Sequence, residues 1–67
     1  MTKLQAMRKR RGMTQAELSK LTNLSLRTIQ EYEQGHRKVG STTYMRLTTI
    51  AGVLNCTPDD IIDDDVE

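Results

Sequence analysis

Residues 12–35 read GMTQAELSKLTNLSLRTIQEYEQG, two short helices with their start and stop signals written out. Thr14, followed three residues on by Glu17, fits a capping box, in which hydroxyl and carboxylate satisfy each other's backbone donors. Ser25 stands directly before the next apolar-periodic run and suits its N-cap. Gly12 and Gly35 sit where a left-handed residue is wanted after a helix. These signals predict helices over Gln15–Thr22 and Leu26–Gln34, joined by the turn Thr22-Asn23-Leu24. Two such helices across a tight turn make a helix-turn-helix unit, whose second helix can lie in a DNA major groove. Short paired helices also occur in bundles with no such role.

The same punctuation continues outward. Thr2 with Gln5 fits a second capping box, which predicts a first helix over Lys3–Arg11. Ser41 precedes a run in which Leu47, Ile50, Ala51 and Leu54 share one helical face, giving a fourth helix over Thr42–Leu54. Thr57-Pro58-Asp59-Asp60 supplies a cap, a proline at the first helical position and acidic residues in the first turn, giving a fifth over Pro58–Asp63. Phe and Trp are absent and no run alternates like a strand. The expected fold is all-α with five helices. Its expected core is Leu4, Met7, Met13, Leu18, Leu21, Leu24, Ile29, Leu47, Ile50, Ala51, Leu54, Ile61 and Ile62, with Tyr32 and Tyr44 as packing residues. Residues 1–62 form one domain, and Asp63–Glu67 reads as an acidic, solvated tail. A 67-residue domain buries only about 60% of its unfolded surface, so it depends on tight packing or a second copy.

Charge is divided along the chain. Residues 1–38 carry nine Lys/Arg against Glu17, Glu31 and Glu33, or +6; residues 39–67 carry Arg46 against Asp59, Asp60, Asp63, Asp64, Asp65 and Glu67, or −5, for a total of +1. A basic half suits a polyanion partner, though a solvated surface is the alternative. The acidic end would repel DNA and is expected to point away from it. One His and one Cys make neither a disulfide nor a zinc site, and no acid/base set converges, so neither an enzyme nor a cofactor is expected. No run is long and apolar enough for a membrane span or signal peptide, and the lone Cys56 fits a reducing cytoplasm. Cys56 itself reads as a small core residue.

Gly12-Met13-Thr14-Gln15-Ala16-Glu17-Leu18, then Ile29, then Tyr32-Glu33-Gln34-Gly35 resembles the lambda-repressor/Cro-type (XRE) helix-turn-helix family. Leu4, Arg8, Leu47, Ala51, Leu54 and the Thr57–Ile62 segment extend the resemblance over nearly the whole chain. The sequence departs at Asn23, where the turn often has Gly, and at Ser19, where a small apolar residue is common. The Gly35–Leu47 segment is longer than in the commonest members and lacks their proline.

The resemblance implies a five-helix lambda-repressor-like domain that binds double-stranded DNA at specific sequences and regulates transcription, most often as a repressor. It implies base reading from the first turn of the Leu26–Gln34 helix: Arg27 toward guanine, Leu26 and Thr28 toward a thymine methyl, Glu31 toward cytosine or holding Arg27. Gln15 and Ser25 at helix starts, and Arg37 and Lys38 in the following loop, are candidate phosphate contacts. Lys9, Arg10 and Arg11 flank that side in sequence. Arg8 and Glu33 match a family pair that joins the first helix to the end of the third. A homodimer on a pseudo-palindromic site is expected, meeting around Leu54–Ile62, with no small-molecule ligand. The competing reading is a protein-interaction module, such as the antitoxin of a toxin–antitoxin pair.

Overall fold

In a computed structural model, which describes residues 1–63, four α-helices and two 3-10 turns follow in the order α1 (Lys3–Arg10), α2 (Gln15–Thr22), α3 (Leu26–Gln34), the 3-10 turn Val39–Ser41, α4 (Tyr44–Val53) and the 3-10 turn Pro58–Asp60. No strand occurs among the described residues. The all-α class stands, with four helices rather than five. Helix α2 packs on α3 and α4, while α1 and the closing 3-10 turn seal the other side.

The caps explain both the agreement and the differences. The Thr14 hydroxyl accepts from Glu17 N at 3.0 Å and the Glu17 carboxylate accepts from Thr14 N at 2.8 Å, so the box is complete. Thr2 forms only the hydroxyl half, accepting from Gln5 N at 3.2 Å, and α1 ends at Arg10 with Arg11 as its C-cap. Helix α4 starts two residues later than expected. The Ser41 hydroxyl donates to the Lys38 carbonyl inside a 3-10 turn, which leaves Thr43 to cap α4 by accepting from Arg46 N at 3.2 Å. The expected fifth helix is a single 3-10 turn, closed by the Asp60 carboxylate accepting from the Thr57 N–H and hydroxyl, each at 3.0 Å. Those two bonds, the N–H first, hold the Asp60 carboxyl below its usual range. The chain then turns to bury Ile61, which is fully enclosed.

Asn23 closes α2 in the left-handed region (φ 61°), a conformation that Asn tolerates better than most residues. Ser19 secures this turn: its hydroxyl donates to the Leu24 carbonyl, and its own carbonyl accepts from Leu24 N at 3.2 Å. Both departures from the family pattern therefore serve the same turn.

The core is Leu4, Leu18, Ile29, Tyr32, Val39, Leu47, Ile50, Ala51, Leu54 and Ile61, with Met7, Met13, Leu24, Val53, Cys56 and Ile62 packed against it. Leu21, expected inside, is 58% exposed, and Tyr44, expected to pack, is 78% exposed. Thr22 takes the inward position on α2 instead, its hydroxyl satisfied by the Leu18 carbonyl at 2.7 Å, which lets a polar residue be buried there. Val39 enters the core from the 3-10 turn, where no helical period announces it.

A buried ion pair lies between these elements. Arg8 donates from Nε to Glu33 Oε2 at 2.6 Å and from Nη2 to Oε1 at 3.0 Å, and from Nη1 to the Met13 carbonyl at 2.7 Å. The Glu33 side chain is 1% exposed. Truncating one partner leaves the other charged and enclosed, which costs about 3–5 kcal/mol. Glu33→Ala is therefore expected to lower the urea midpoint drastically in a domain this small, and a melting temperature within about a degree of wild type would refute the pair's role.

Candidate nucleic-acid interface

Helix α3 buries Ile29, Tyr32 and Glu33, which leaves the opposite face to solvent. Arg27 stands on that face with its side chain 88% exposed, beside Leu26 at 42%. The Ser25 hydroxyl accepts from Thr28 N at 3.1 Å and lies 2.8 Å from the Thr28 hydroxyl, so Ser25 and Thr28 fix the start of the helix together. Glu31, one turn beyond Arg27, is partly buried. It pairs with Arg27 Nε at 3.5 Å and with Arg37 Nη2 at 3.1 Å, and its carbonyl accepts from His36 N and Arg37 N. A single carboxylate thus ties one candidate base reader to one candidate phosphate contact. The ion pairs are solvent-facing and each is worth little in stability. Their effect is to hold two guanidinium groups over one helix face.

Gln15 opens α2 but turns inward. Its Nε2 donates to Glu33 Oε1 at 3.0 Å, and its Oε1 accepts from Gln30 Nε2 at 3.5 Å. Its carboxamide is thus engaged with the buried pair and with α3. The first-turn N–H groups of α2, which lack helical acceptors, are the remaining anion donors there. Lys38 lies exposed in the loop after α3 with Arg37.

Arg11, expected near the basic flank, has another role. It donates from Nε to the Leu54 carbonyl at 2.7 Å and from Nη2 to the Asn55 carbonyl at 3.1 Å, capping the C-terminal end of α4. Gln30 carries no local signal in the sequence because its partner lies 15 positions away. Arg11 resembles any residue of a basic run until α4 is placed beside it.

The surface expected to join two copies, Leu54–Ile62, keeps Leu54 and Ile61 inside the monomer and leaves Asn55, Thr57, Asp59 and Asp60 exposed. Ile62 and Asp63 line an open groove of about 550 Å³ together with Arg37, Lys38 and Val39. Asp63, expected in a solvated tail, accepts from Lys3 N at 3.1 Å and so caps α1; the rest of that tail, 64–67, lies outside the described residues. No cluster of His, Cys, Asp or Glu able to hold a metal occurs among the described residues, and no helix there is long and apolar enough to cross a membrane.

Fold and exposed face together define a small helix-turn-helix domain. A family model described as helix-turn-helix matches residues 4–61, and the chain belongs to this lambda-repressor/Cro-type (XRE) family of DNA-binding transcription regulators. No curated protein matches the chain.

Cys56 is half-buried behind α4, and burial, then the Asp60 carboxylate, push its thiol up from the usual value despite Arg11. Raised thiols hold less thiolate and react slowly. Iodoacetamide is expected to label Cys56 more slowly in the folded protein than in urea at the same pH, and equal rates would place the thiol in open solvent.

Proposed function

We propose that this chain is a sequence-specific, double-stranded-DNA-binding repressor that reads the major groove with the first turn of α3. The observation that carries this reading is the exposed α3 face, with Arg27 outermost and held by the Glu31–Arg37 relay. A guanidinium fork matches guanine O6 and N7, and Leu26 and Thr28 can meet a thymine methyl. Glu31 sets the direction of Arg27 and can accept from a cytosine amine. Ser25, Arg37, Lys38 and the start of α2 at Gln15 contact phosphates, which fix register without reading sequence. Repression then follows from occupying a promoter.

One such helix reads roughly three to five base pairs, too few to select a site in a genome, so two copies act on a pseudo-palindromic site. The polar surface around Asn55–Asp60 suits a pair assembled by DNA rather than a preformed dimer. Half-sites are then roughly 34 Å apart, centre to centre.

Selection of bound duplexes from a random pool supplies the site. On it, Arg27→Ala is expected to lose about 1–3 kcal/mol with little change on random DNA. Arg37→Ala is expected to weaken both and to flatten the salt dependence by about one phosphate's worth. Equal losses on specific and random duplexes would remove Arg27 from base reading.

Two-fold assembly has its own measurement. A titration of the full site is expected to saturate at two chains per duplex and to bind more tightly than a half-site. One chain per full site, with no gain over the half-site, would rule the pair out.

A further inference from the structure

A line of hydrogen bonds runs from the buried ion pair to the surface of α3 and ends on Gln30. Glu33 Oε1, already held by Arg8 Nη2 at 3.0 Å, accepts from Gln15 Nε2 at 3.0 Å, and Gln15 Oε1 accepts from Gln30 Nε2 at 3.5 Å. Chemistry fixes the polarity of this line. A carboxylate only accepts, so Gln15 turns its amide nitrogen to Glu33 and its oxygen outward, and Gln30 meets that oxygen with a donor. Nothing among the described residues engages the Gln30 carbonyl oxygen or its second N–H. The half-buried side chain thus offers an acceptor and a donor at the edge of the exposed face. Arg27 precedes Gln30 by three positions and Leu26 by four, so both adjoin it on the helix surface. Leu26 is 42% exposed and the Arg27 side chain 88%.

We propose that Gln30 is a further specificity-determining residue, whose carboxamide reads an adenine. The inference rests on the DNA-binding reading above and deepens it. In the major groove adenine presents N7 as an acceptor and N6 as a donor, the complement of a carboxamide's N–H and oxygen. Guanine presents two acceptors there and cytosine a donor, so neither base matches both groups. The thymine paired with adenine adds a methyl group, and Leu26 supplies an apolar surface beside Gln30 to meet it. A carboxamide free to turn can exchange its oxygen and nitrogen. The bond to Gln15 restrains Gln30 to one orientation, so its donor and acceptor are set before DNA arrives.

The test selects duplexes from one random pool with wild type, Gln30→Ala and Arg27→Ala in parallel. An A·T position enriched by wild type is expected to be lost with Gln30→Ala, while the guanine position that depends on Arg27 is kept. On the wild-type site, exchanging that A·T pair for G·C is expected to weaken wild type roughly fivefold to a hundredfold and Gln30→Ala less than about twofold. Placing 7-deazaadenine there removes only the N7 acceptor. It is expected to weaken wild type roughly threefold to tenfold and to leave Gln30→Ala nearly unchanged. Identical selected sites for wild type and Gln30→Ala overturn the proposal, as does an equal 7-deazaadenine penalty in both proteins. Equal losses from Gln30→Ala on selected and random duplexes also overturn it, because Gln30 would then touch phosphate or serve the fold alone. Circular dichroism checks that Gln30→Ala is folded, and Gln30→Met, which keeps the side-chain stem, takes its place if it is not. If wild type binds no duplex, the DNA-binding reading itself fails. Specific binding that does not depend on Gln30 leaves that reading standing and removes only the adenine contact.

Discussion

The Arg8–Glu33 pair is the joint around which this small fold is assembled. One guanidinium donates three hydrogen bonds, two to the carboxylate of α3 and one to the Met13 carbonyl before α2. Gln15 adds a bond from the start of α2 to the same carboxylate. Helix α1, the α1–α2 turn, α2 and α3 thus meet at one polar centre whose donors and acceptors are matched. No buried side-chain nitrogen or oxygen among the described residues lacks a partner. That matching is the condition under which a charge can be enclosed in so small a core. The angle between α2 and α3 is therefore fixed by directional bonds as well as by apolar packing.

The joint also links stability to the exposed face of α3. Gln30 bonds to Gln15 from the α3 side, so the polar centre extends toward the surface where Arg27 and Glu31 stand. The surface relay is of a different kind. Arg27, Glu31 and Arg37 are close enough to pair, but water competes for them, so they restrict direction more than they add stability. A buried, fully bonded pair holds the frame, and an exposed, exchangeable one restricts the directions of Arg27 and Arg37. A bidentate contact to a base edge needs both the fixed frame and the exchangeable charge.

Local chemistry explains what the sequence made legible. Helices α2 and α3 were read to the residue because their limits are set by Thr14, Asn23, Ser25 and Gly35, each acting on backbone within a few positions. The start of α4 is not legible in the sequence because Ser41, Thr42 and Thr43 are all able to cap, and the choice depends on the Lys38 carbonyl taking the Ser41 hydroxyl. Leu21 reads as a core residue because a period of three or four residues cannot choose between Leu21 and Thr22 after Leu18. A hydroxyl that bonds back to its own helix made Thr22 the inward residue. Arg11 and Gln30 were illegible for a stricter reason. Their partners are 43 and 44 positions away in one case and 15 in the other, and no local pattern records such distances.

The ends of the chain follow from the same packing. The Thr2 hydroxyl donates to the Glu33 carbonyl at 3.3 Å, which brings the start of α1 to the end of α3. Asp63 accepts from Lys3 N, which brings residues after the last 3-10 turn to that start. Ile61 must be enclosed to complete the core, and Ile62 then lies against Gly40. Each contact satisfies a local requirement: a carbonyl at a helix end, a donor at a helix start, an apolar side chain removed from water. Their combined result is that Ile62 and Asp63 line the same groove as Arg37 and Lys38. Moving Asp63 out of that groove would require giving up its bond to Lys3 N or the burial of Ile61. The placement of Asp63 is thus a consequence of how the core is closed.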